Sequence, residues 1–381
     1  MSFEHYIQKG AQKLRLGYTT GTCAALAAKA AAEMLLTGLM AETISLTTPK
    51  GLDVTVPVLG ASFDDKQAAC AVRKDAGDDP DVTDGMLVCA LVSRVDEPGI
   101  MIDGGIGVGR VTKPGLNQPV GAAAINTVPR RMIAEEVAHI CQRVQYTGGL
   151  TVVISIPEGE DRAKKTFNEK LGIKGGLSVL GTSGIVEPMS TQALIDCIGL
   201  ELRALAAEGH RSVVLTPGNY GTAFLSRFPK LRAAPTVKFS NFIGEALRFA
   251  VQSGFQKILV VGHLGKLVKL AGGIMNTHSG EADCRAEILA AHAALCGAGQ
   301  LTVRAIMDSA ATDACVDILM QAGIRDEVLK SLLSKIEEQL QRKTGEATEI
   351  GAVLFSNTYG FLGQTASAAS LIESFGWEEN K

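Results

Sequence analysis

The amino-acid sequence predicts an α+β domain followed by an α/β domain, Rossmann-like and with a mainly parallel sheet. Three observations carry this prediction. The first third of the chain is rich in alternating apolar strands behind one leading helix. From residue 211 onward, short apolar strands alternate with helices, which indicates a parallel sheet. The chain has 381 residues, 46% of them hydrophobic, which is enough for two cores. We place the domains at 1–195 and 196–381.

The first domain is predicted to open with a helix over 22–36, because Cys23, Leu26, Ala30 and Met34 recur at helical spacing. Gly38 follows as a stop signal. The period then changes to the alternation that is typical of strands. We predict strands at 43–48, 52–58, 67–74, 86–95 and 150–156, and helices at 128–144 and 190–208.

The second domain is predicted from short apolar runs that glycine and polar turns separate from longer helical patterns. Because parallel strands need crossover connections, this alternation favours a sheet with helices on both faces. We predict strands at 213–216, 236–239, 257–261, 301–306 and 351–355, and helices at 241–253, 281–296, 309–322 and 325–342.

Composition excludes several classes of protein. The net charge of −3, with dispersed lysines and arginines, gives no basic surface for nucleic acid. No apolar run is long enough to span a membrane. The eight cysteines form no C-x-x-C pair, which argues against a zinc ribbon and favours a reducing, cytoplasmic location. The signatures of the commonest hydrolases, NTPases and metalloproteases are absent from the sequence. The oligomeric state stays open, a homo-oligomer included.

A glycine- and threonine-rich stretch at 17–25 leads into the first predicted helix. Its hydroxyls and backbone N–H groups suit a small anionic ligand, so Thr19 and Thr20 are candidate binding residues. The alternative is an ordinary capped helix, which the residues by themselves favour.

An acidic loop forms the densest polar cluster; we give this name to Asp75, Asp78, Asp79, Asp81 and Asp84. Its carboxylates suit a general base, a site for ribose hydroxyls or a cationic cofactor, or a divalent metal site. The alternative is a solvated turn whose aspartates accept bonds from backbone N–H groups. Because such a concentration of charge is costly without compensation, we favour a function.

Basic residues and strand-end loops supply the other candidates. Arg110, Lys113 and Arg130 together suit a ligand with several carboxylates, although each alone is typical of a protein surface. The glycine-rich segment 104–110 matches the dinucleotide-binding pattern poorly. The turn 216–221 and the segment 260–266 each follow a predicted strand, where ligands bind in α/β sheets. His263 there suits acid or base chemistry near neutral pH. A metal site formed by His263 and His278 stays open, although the sequence gives these residues no standard metal-ligand spacing.

Eight segments in this order resemble the cobalt-precorrin-5B (C-1)-methyltransferases of cobalamin biosynthesis, the CbiD family. They extend from about residue 15 to 285 and form a highly specific set. They are 17–25 (GYTTGTCAA), 75–85 (DAGDDPDVTDG), 107–115 (GVGRVTKPG), 164–168 (KKTFN), 181–189 (GTSGIVEPM), 217–221 (PGNYG), 240–245 (SNFIGE) and 262–279 (GHLGKLVKLAGGIMNTHS).

The resemblance implies methyl transfer from S-adenosylmethionine to carbon 1 of cobalt-precorrin-5B, giving cobalt-precorrin-6A. The substrate, not the protein, would carry the cobalt. The first domain would hold the corrinoid and the second the methyl donor. Thr19, Thr20, Arg110, Lys113, Arg130 and Lys266 (with Lys269) would bind the substrate, Gly218, Asn219, Tyr220 and Gly262 the donor, and Asp79 and His263 would remove a proton.

Two other functions stay open at this point. One is a phosphate- or nucleotide-handling enzyme that uses Thr19 to Thr22 as an anion cradle and the acidic loop for magnesium. The other is a corrinoid-binding protein without catalytic activity.

Overall fold

The computed structural model describes residues 3–166, 168–169, 171–226 and 228–375. The chain divides into two compact units, Met1–Ser190 and Thr191–Lys381. The boundary that the sequence predicts after residue 195 lies inside a helix, Thr191–Ala207, which belongs to the second unit. We describe each unit separately.

The first unit combines short strands with three helices in its described residues. The strands are β1 Tyr6–Lys9, β2 Gln12–Arg15, β3 Gly17–Tyr18, β4 Thr43–Thr47, β5 Asp53–Pro57, β6 Leu59–Phe63, β7 Gln67–Arg73, β8 Leu87–Val95, β9 Gly99–Gly104, β10 Gly107–Val108, β11 Arg110–Val111, β12 Gly149–Ser155, β13 Ile173–Lys174, β14 Gly176–Leu177 and β15 Ile185–Val186. The helices are α1 Thr20–Thr37, α2 Thr127–Arg143 and α3 Gly159–Ala163.

A mixed five-stranded sheet in the order β6-β7-β8-β12-β9 forms the centre of this unit. Helix α1 packs against α2, β7 and β8, and its alanines are almost completely buried. The small alanine side chains allow α1 to pack closely against the sheet. For this reason most of the surface of α1 can be buried. Gly38 ends α1 in the left-handed conformation, as the sequence predicts. The predicted helix at 22–36 is confirmed and is longer at its start.

The second unit contains β16 Ser212–Thr216, β17 Thr236–Lys238, β18 Lys257–His263, β19 Glu349–Ser356 and β20 Gly360–Gln364. Its helices are α4 Thr191–Ala207, α5 Asn219–Leu225, a 3₁₀ turn at Pro229–Leu231, α6 Ile243–Gln252, α7 Leu264–Ala271, α8 Arg285–Leu295, α9 Gln300–Met307, α10 Thr312–Gln321, α11 Arg325–Thr344 and α12 Ala368–Phe375.

The sheet of the second unit has the order β17-β16-β18-β19-β20, in which β20 is antiparallel to β19 and the other pairs are parallel. Alternate residues of its strands enter two cores. One core includes Val213 and Ile258 with α4, α6 and α7, and the other includes Val214 and Leu259 with α5 and α12. Helices therefore cover both faces of a mainly parallel sheet, as the sequence predicts.

One predicted strand is wrong: residues 301–306 lie in helix α9. Ile306 is completely buried and Val303 packs against the same core, whereas Leu301 is 84% exposed. Positions 303 and 306 share a face only at helical spacing, because a strand would point them to opposite sides. A six-residue apolar run does not separate the two possibilities by itself.

Among the described residues, none of the helices combines the length and apolar character that a membrane span requires.

Candidate functional site

A cavity of about 500 Å³ lies at the carboxyl ends of β16, β18 and β19. From β16 the chain passes first to β17 on one side and then to β18 on the other, so the order reverses between β16 and β18. Open α/β sheets bind their ligands at such a reversal. The cavity is lined by residues from each of these strand ends and from the starts of α8 and α10: Pro217, Gly218, Tyr220, Gly221, His263, Gly265, Lys266, Arg285, Ala311, Thr312, Asp313, Phe355 and Asn357.

The predicted donor residues occupy different places around this cavity. Gly218 and Tyr220 line it directly. The side-chain oxygen of Asn219 instead accepts a hydrogen bond from Lys238 Nζ at 2.7 Å. Gly262 packs beneath the site, where a Cβ would lie 2.9 Å from the Leu267 side chain. Gly218 and Tyr220 therefore face the cavity, whereas Asn219 and Gly262 contact other parts of the fold.

His263 ends β18 and caps helix α7. Its Nδ1 accepts a hydrogen bond from the backbone N–H of Gly265 at 3.1 Å, and its ring meets Phe355 edge-on, with centroids 5.7 Å apart. Burial lowers the pKa of His263, and the carboxylate of Asp313 only partly opposes this effect. Because Nδ1 accepts the hydrogen bond from Gly265, the neutral ring carries its proton on Nε2. This arrangement suits a hydrogen-bond donor better than a general base.

Lys266 lies one turn further along α7 and also lines the cavity. Its Nζ donates to the carbonyl oxygen of Ser240 at 3.2 Å and to Asn241 Oδ1 at 2.8 Å. Burial lowers the pKa of Lys266, and the charge of Lys269 lowers it further. Lys269 itself is buried and donates to the carbonyl oxygens of Thr277 and Ala282, so it acts within the fold.

Asp313 brings a carboxylate to the same cavity, and the sequence analysis missed it. It accepts hydrogen bonds from Ser356 Oγ at 2.9 Å and from Thr358 Oγ1 at 2.6 Å. Phe355 and Asn357 were also missed, although they lie at the end of a predicted strand and the strand-end rule could have found them. Asp313 lies at the start of a helix far along the chain, and no sequence pattern comparable to the strand-end rule points to it.

In the first unit, the threonines of the opening loop are buried and bonded within the fold. Thr19 caps α1, with its Oγ1 accepting from the backbone N–H of Thr22 at 3.2 Å. Thr20 Oγ1 accepts from the N–H of Leu180 at 3.0 Å and contacts the carbonyl of the same residue. Two hydroxyls engaged in this way favour the capped-helix interpretation.

The acidic loop is held together by bonds to backbone N–H groups. All five aspartates accept one: Asp75 from Gly77, Asp78 from Arg15, Asp79 from Met189, Asp81 from Thr83 and Asp84 from Ala76. This pattern is the turn that the sequence analysis weighed as the alternative to a function. Asp79, the candidate base, uses Oδ1 for its bond with Met189, at 3.0 Å.

The predicted basic residues of the first unit also have internal partners. Arg110 forms a two-pronged ion pair with Asp103, at 2.7 and 2.9 Å. Arg130 donates to three carbonyl oxygens, those of Ile102, Ala123 and Ile125, and burial lowers its pKa. Both arginines lower the pKa of Asp103, so the structure brings them together at the end of β9. The stem of Lys113 packs against Gly172.

No group of three or more histidine, cysteine or acidic side chains suited to a metal ion occurs within the described parts of the chain. The Nδ1 of His278 accepts from the backbone N–H of Gly280 at 3.1 Å.

Comparison with known proteins places these observations in a family. Residues 7–188 match the family described as CbiD, and residues 276–366 match CbiD, C-terminal domain. The chain is 47% identical to the cobalt-precorrin-5B C(1)-methyltransferase of Ruminiclostridium cellulolyticum, over 93% of this chain and 92% of the relative. It is 44% identical to that of Alkaliphilus metalliredigens, over 97% of both chains. With the protein of the same name from Listeria monocytogenes it shares 39% identity, over 98% of this chain and 100% of the relative.

A solved structure is also similar, the cobalamin biosynthesis protein (cbiD) from Archaeoglobus fulgidus. It is 31% identical, covering 74% of this chain and 87% of that one, with a TM-score of 0.40.

Proposed function

This chain belongs to the CbiD family, and we propose on that ground that it methylates cobalt-precorrin-5B at carbon 1, with S-adenosylmethionine as the methyl donor. The observation that carries this proposal is near-full-length identity to relatives that bear this activity in their name. The product would be cobalt-precorrin-6A, in cobalamin biosynthesis. The cobalt ion would belong to the substrate. We further propose a cytoplasmic site of action.

The cavity of the second unit is our proposed donor site, and we propose a Rossmann-like use of this unit, with the ligand at the point where the strand order reverses. Its volume, about 500 Å³, falls within the range of small-molecule pockets. The aromatic side chains of Tyr220 and Phe355 suit the nucleoside end of the donor, while Lys266 and Asp313 suit its charged end. When bound there, the donor supplies a methyl group that its sulfonium activates.

The first unit is our proposed corrinoid side. The corrinoid carries several carboxylates, and Arg110 with Arg130 supplies two positive charges around Asp103. An exposed carboxylate of the substrate would compete with Asp103 for Arg110, whereas the buried contacts of Arg130 would hold the surrounding backbone in place. Thr19 and Thr20 then act by shaping α1 and the segment near Leu180.

Proton removal, where the ring needs it, falls better to Asp79 than to His263. The bond with Met189 engages Oδ1 of Asp79, and a carboxylate has further lone pairs to offer. The Nε2 proton of His263 suits a hydrogen bond to a bound ligand instead. Methyl transfer forms the new carbon–carbon bond with the ring carbon's electrons, while the donor sulfur keeps the pair of the bond that breaks. Alignment of the two partners is therefore the main task of the protein.

The direct test is turnover of cobalt-precorrin-5B with a donor whose methyl group carries carbon-13. We expect one labelled methyl group per product molecule, located at carbon 1 by NMR. Calorimetry with S-adenosylhomocysteine separates the other functions. Binding of ATP and magnesium without binding of the donor product would contradict the proposal in favour of a phosphate-handling enzyme. Binding of the corrinoid without turnover would favour a carrier.

A further inference from the structure

We propose that Lys266 binds the α-carboxylate of the methyl donor, and so fixes the orientation of the donor in the cavity. This inference rests on the proposed function, and it replaces the expectation that Lys266 belongs to the corrinoid rim. It follows from the bonds of the ammonium group, from the charges around it and from the way the fold holds it.

The ammonium group of Lys266 keeps donor capacity for a ligand. An ammonium group has three N–H donors. Two of them are directed to Ser240 O and Asn241 Oδ1, and Lys266 itself lines the cavity. Both acceptors are uncharged. A third donor is therefore available to an acceptor that enters the cavity.

Among the described residues, no ion pair joins Lys266 to a carboxylate, and its hydrogen bonds go to neutral acceptors. Two effects lower the pKa of Lys266, its burial and the positive charge of Lys269, and both disfavour the ammonium form. Arg285, another cation at the cavity, already forms a two-pronged pair with Asp283. A half-buried ammonium with neutral partners is stabilised strongly by an incoming carboxylate.

The opposite charge of the cavity completes the match to a zwitterion. The carboxylate of Asp313 accepts hydrogen bonds from hydroxyl groups. Among its described bonds, none is to a cation that would neutralise it. A ligand that carries both a carboxylate and a positive group can satisfy Lys266 and Asp313 together. The amino-acid end of the donor carries these charges, whereas its nucleoside end carries neither.

The fold holds Lys266 in place before any ligand arrives. Ser240 adopts a left-handed conformation with φ of +55°, a strained state for a residue other than glycine. Asn241 is fixed in turn, because its backbone carbonyl accepts from the N–H of Thr277 at 2.9 Å. These two contacts aim the acceptors that position the ammonium group. Strain kept at a residue that positions a ligand-binding side chain is typical of a preorganised site.

The test compares two ligands on variants of the full chain by calorimetry. The ligands are S-adenosylhomocysteine and its decarboxylated analogue, which lacks only the carboxylate. We expect the wild-type protein to bind S-adenosylhomocysteine about tenfold to a hundredfold more tightly than the analogue, the range for a hydrogen bond between charged groups. In Lys266→Met the two affinities should become equal, and in Lys266→Arg much of the preference should remain.

Lys335→Met is the matched control, since Lys335 pairs with Glu338 on helix α11 and lies outside the cavity lining. It should keep the wild-type ratio. A wild-type ratio in Lys266→Met would overturn the assignment of Lys266, even if both affinities fell together. If the wild-type protein bound neither ligand, the proposed function itself would be contradicted, which is a different result from a wild-type ratio in Lys266→Met. Lys266→Gln replaces the methionine variant if circular dichroism shows that the latter is unfolded.

Discussion

Asp81→Asn should destabilise the first unit, because it removes the counter-charge of a buried lysine. The side chain of Lys74 is only 1% exposed, and its Nζ lies 3.1 Å from Asp81 Oδ2, whose side chain is 25% exposed. Asp81 also accepts bonds from the backbone N–H and the hydroxyl of Thr83. This ion pair thus ties the acidic loop to a buried lysine, in addition to the ion pair of Asp75 with Arg15.

The expected loss follows from the burial of the two partners. Removing one member of a fully buried pair costs about 3–5 kcal/mol, because the other charge is left without a partner. Water reaches a quarter of the Asp81 side chain and would partly solvate the lysine in the variant. We therefore expect a loss of about 2–3 kcal/mol in the free energy of unfolding.

Urea denaturation at pH 7, followed by circular dichroism, measures this loss. Lys74→Met with Asp81→Asn should recover part of it, since no charge then remains buried. Asp78→Asn is the control: Asp78 is exposed and bonds to the N–H of Arg15, so its loss should be clearly smaller. An Asp81→Asn variant as stable as the wild type would refute the reasoning, as would a double variant less stable than the single one.

Acid should have the same effect as the substitution. Burial raises the pKa of Asp81, but the Lys74 ammonium and the Thr83 bonds outweigh burial, so the pKa is lower than usual. A carboxylate with a lowered native pKa contributes stability that is present above its unfolded value, about 3.9, and disappears as the pH falls through the native value. The wild-type protein should therefore lose its advantage over Asp81→Asn below about pH 4.

Three further predictions concern other parts of the chain. Thr19→Ala should cost about 1 kcal/mol of stability in urea denaturation, and Thr19→Ser almost nothing, because serine also caps helices; an unstable serine variant would contradict the capping role. His263→Ala should lower the free energy of unfolding by about 0.5–2 kcal/mol, because it removes the N-terminal cap of α7, whereas His263→Asn should keep this cap. The native pKa of His263 is lowered, so the wild type should lose stability relative to His263→Asn as the pH falls below about 6.5. If the difference in the free energy of unfolding between these two proteins did not depend on pH, the native ring would not be neutral. Asp313→Asn should narrow the preference for S-adenosylmethionine over S-adenosylhomocysteine, which lacks the sulfonium charge, in calorimetry, and an unchanged preference would place the sulfonium elsewhere.

The position of the cavity could be predicted from the sequence, because its main loops follow strands that are visible as apolar runs. Gly218 and His263 end up at one site since β16 and β18 are neighbours and parallel. The strand-end rule needs only the presence of the strands, and short errors in their limits leave it intact. The error at 301–306 falls on α9, which contributes no residue to this cavity.

The roles of single side chains were harder to predict, because hydrogen-bond partners come from distant parts of the chain. Asp79 bonds to Met189, and Thr20 to Leu180, over separations that no local pattern encodes. A cluster of aspartates looks costly in the sequence since its backbone N–H partners are invisible there. Those partners compensate the charge without any ligand, which removes the argument that favoured a function for the cluster.

Lys266 and Asp313 differ from the acidic loop in this same respect. The carboxylates of the loop find N–H groups or cations within the fold, so nothing about them calls for a ligand. Among the described residues, Lys266 donates to neutral acceptors and Asp313 accepts from hydroxyl groups, at one cavity. A charge that the fold leaves uncompensated indicates a site for a charged ligand. A high density of charges does not indicate one by itself. That criterion needs coordinates, and it selects two residues about fifty positions apart, of which the sequence pointed to one.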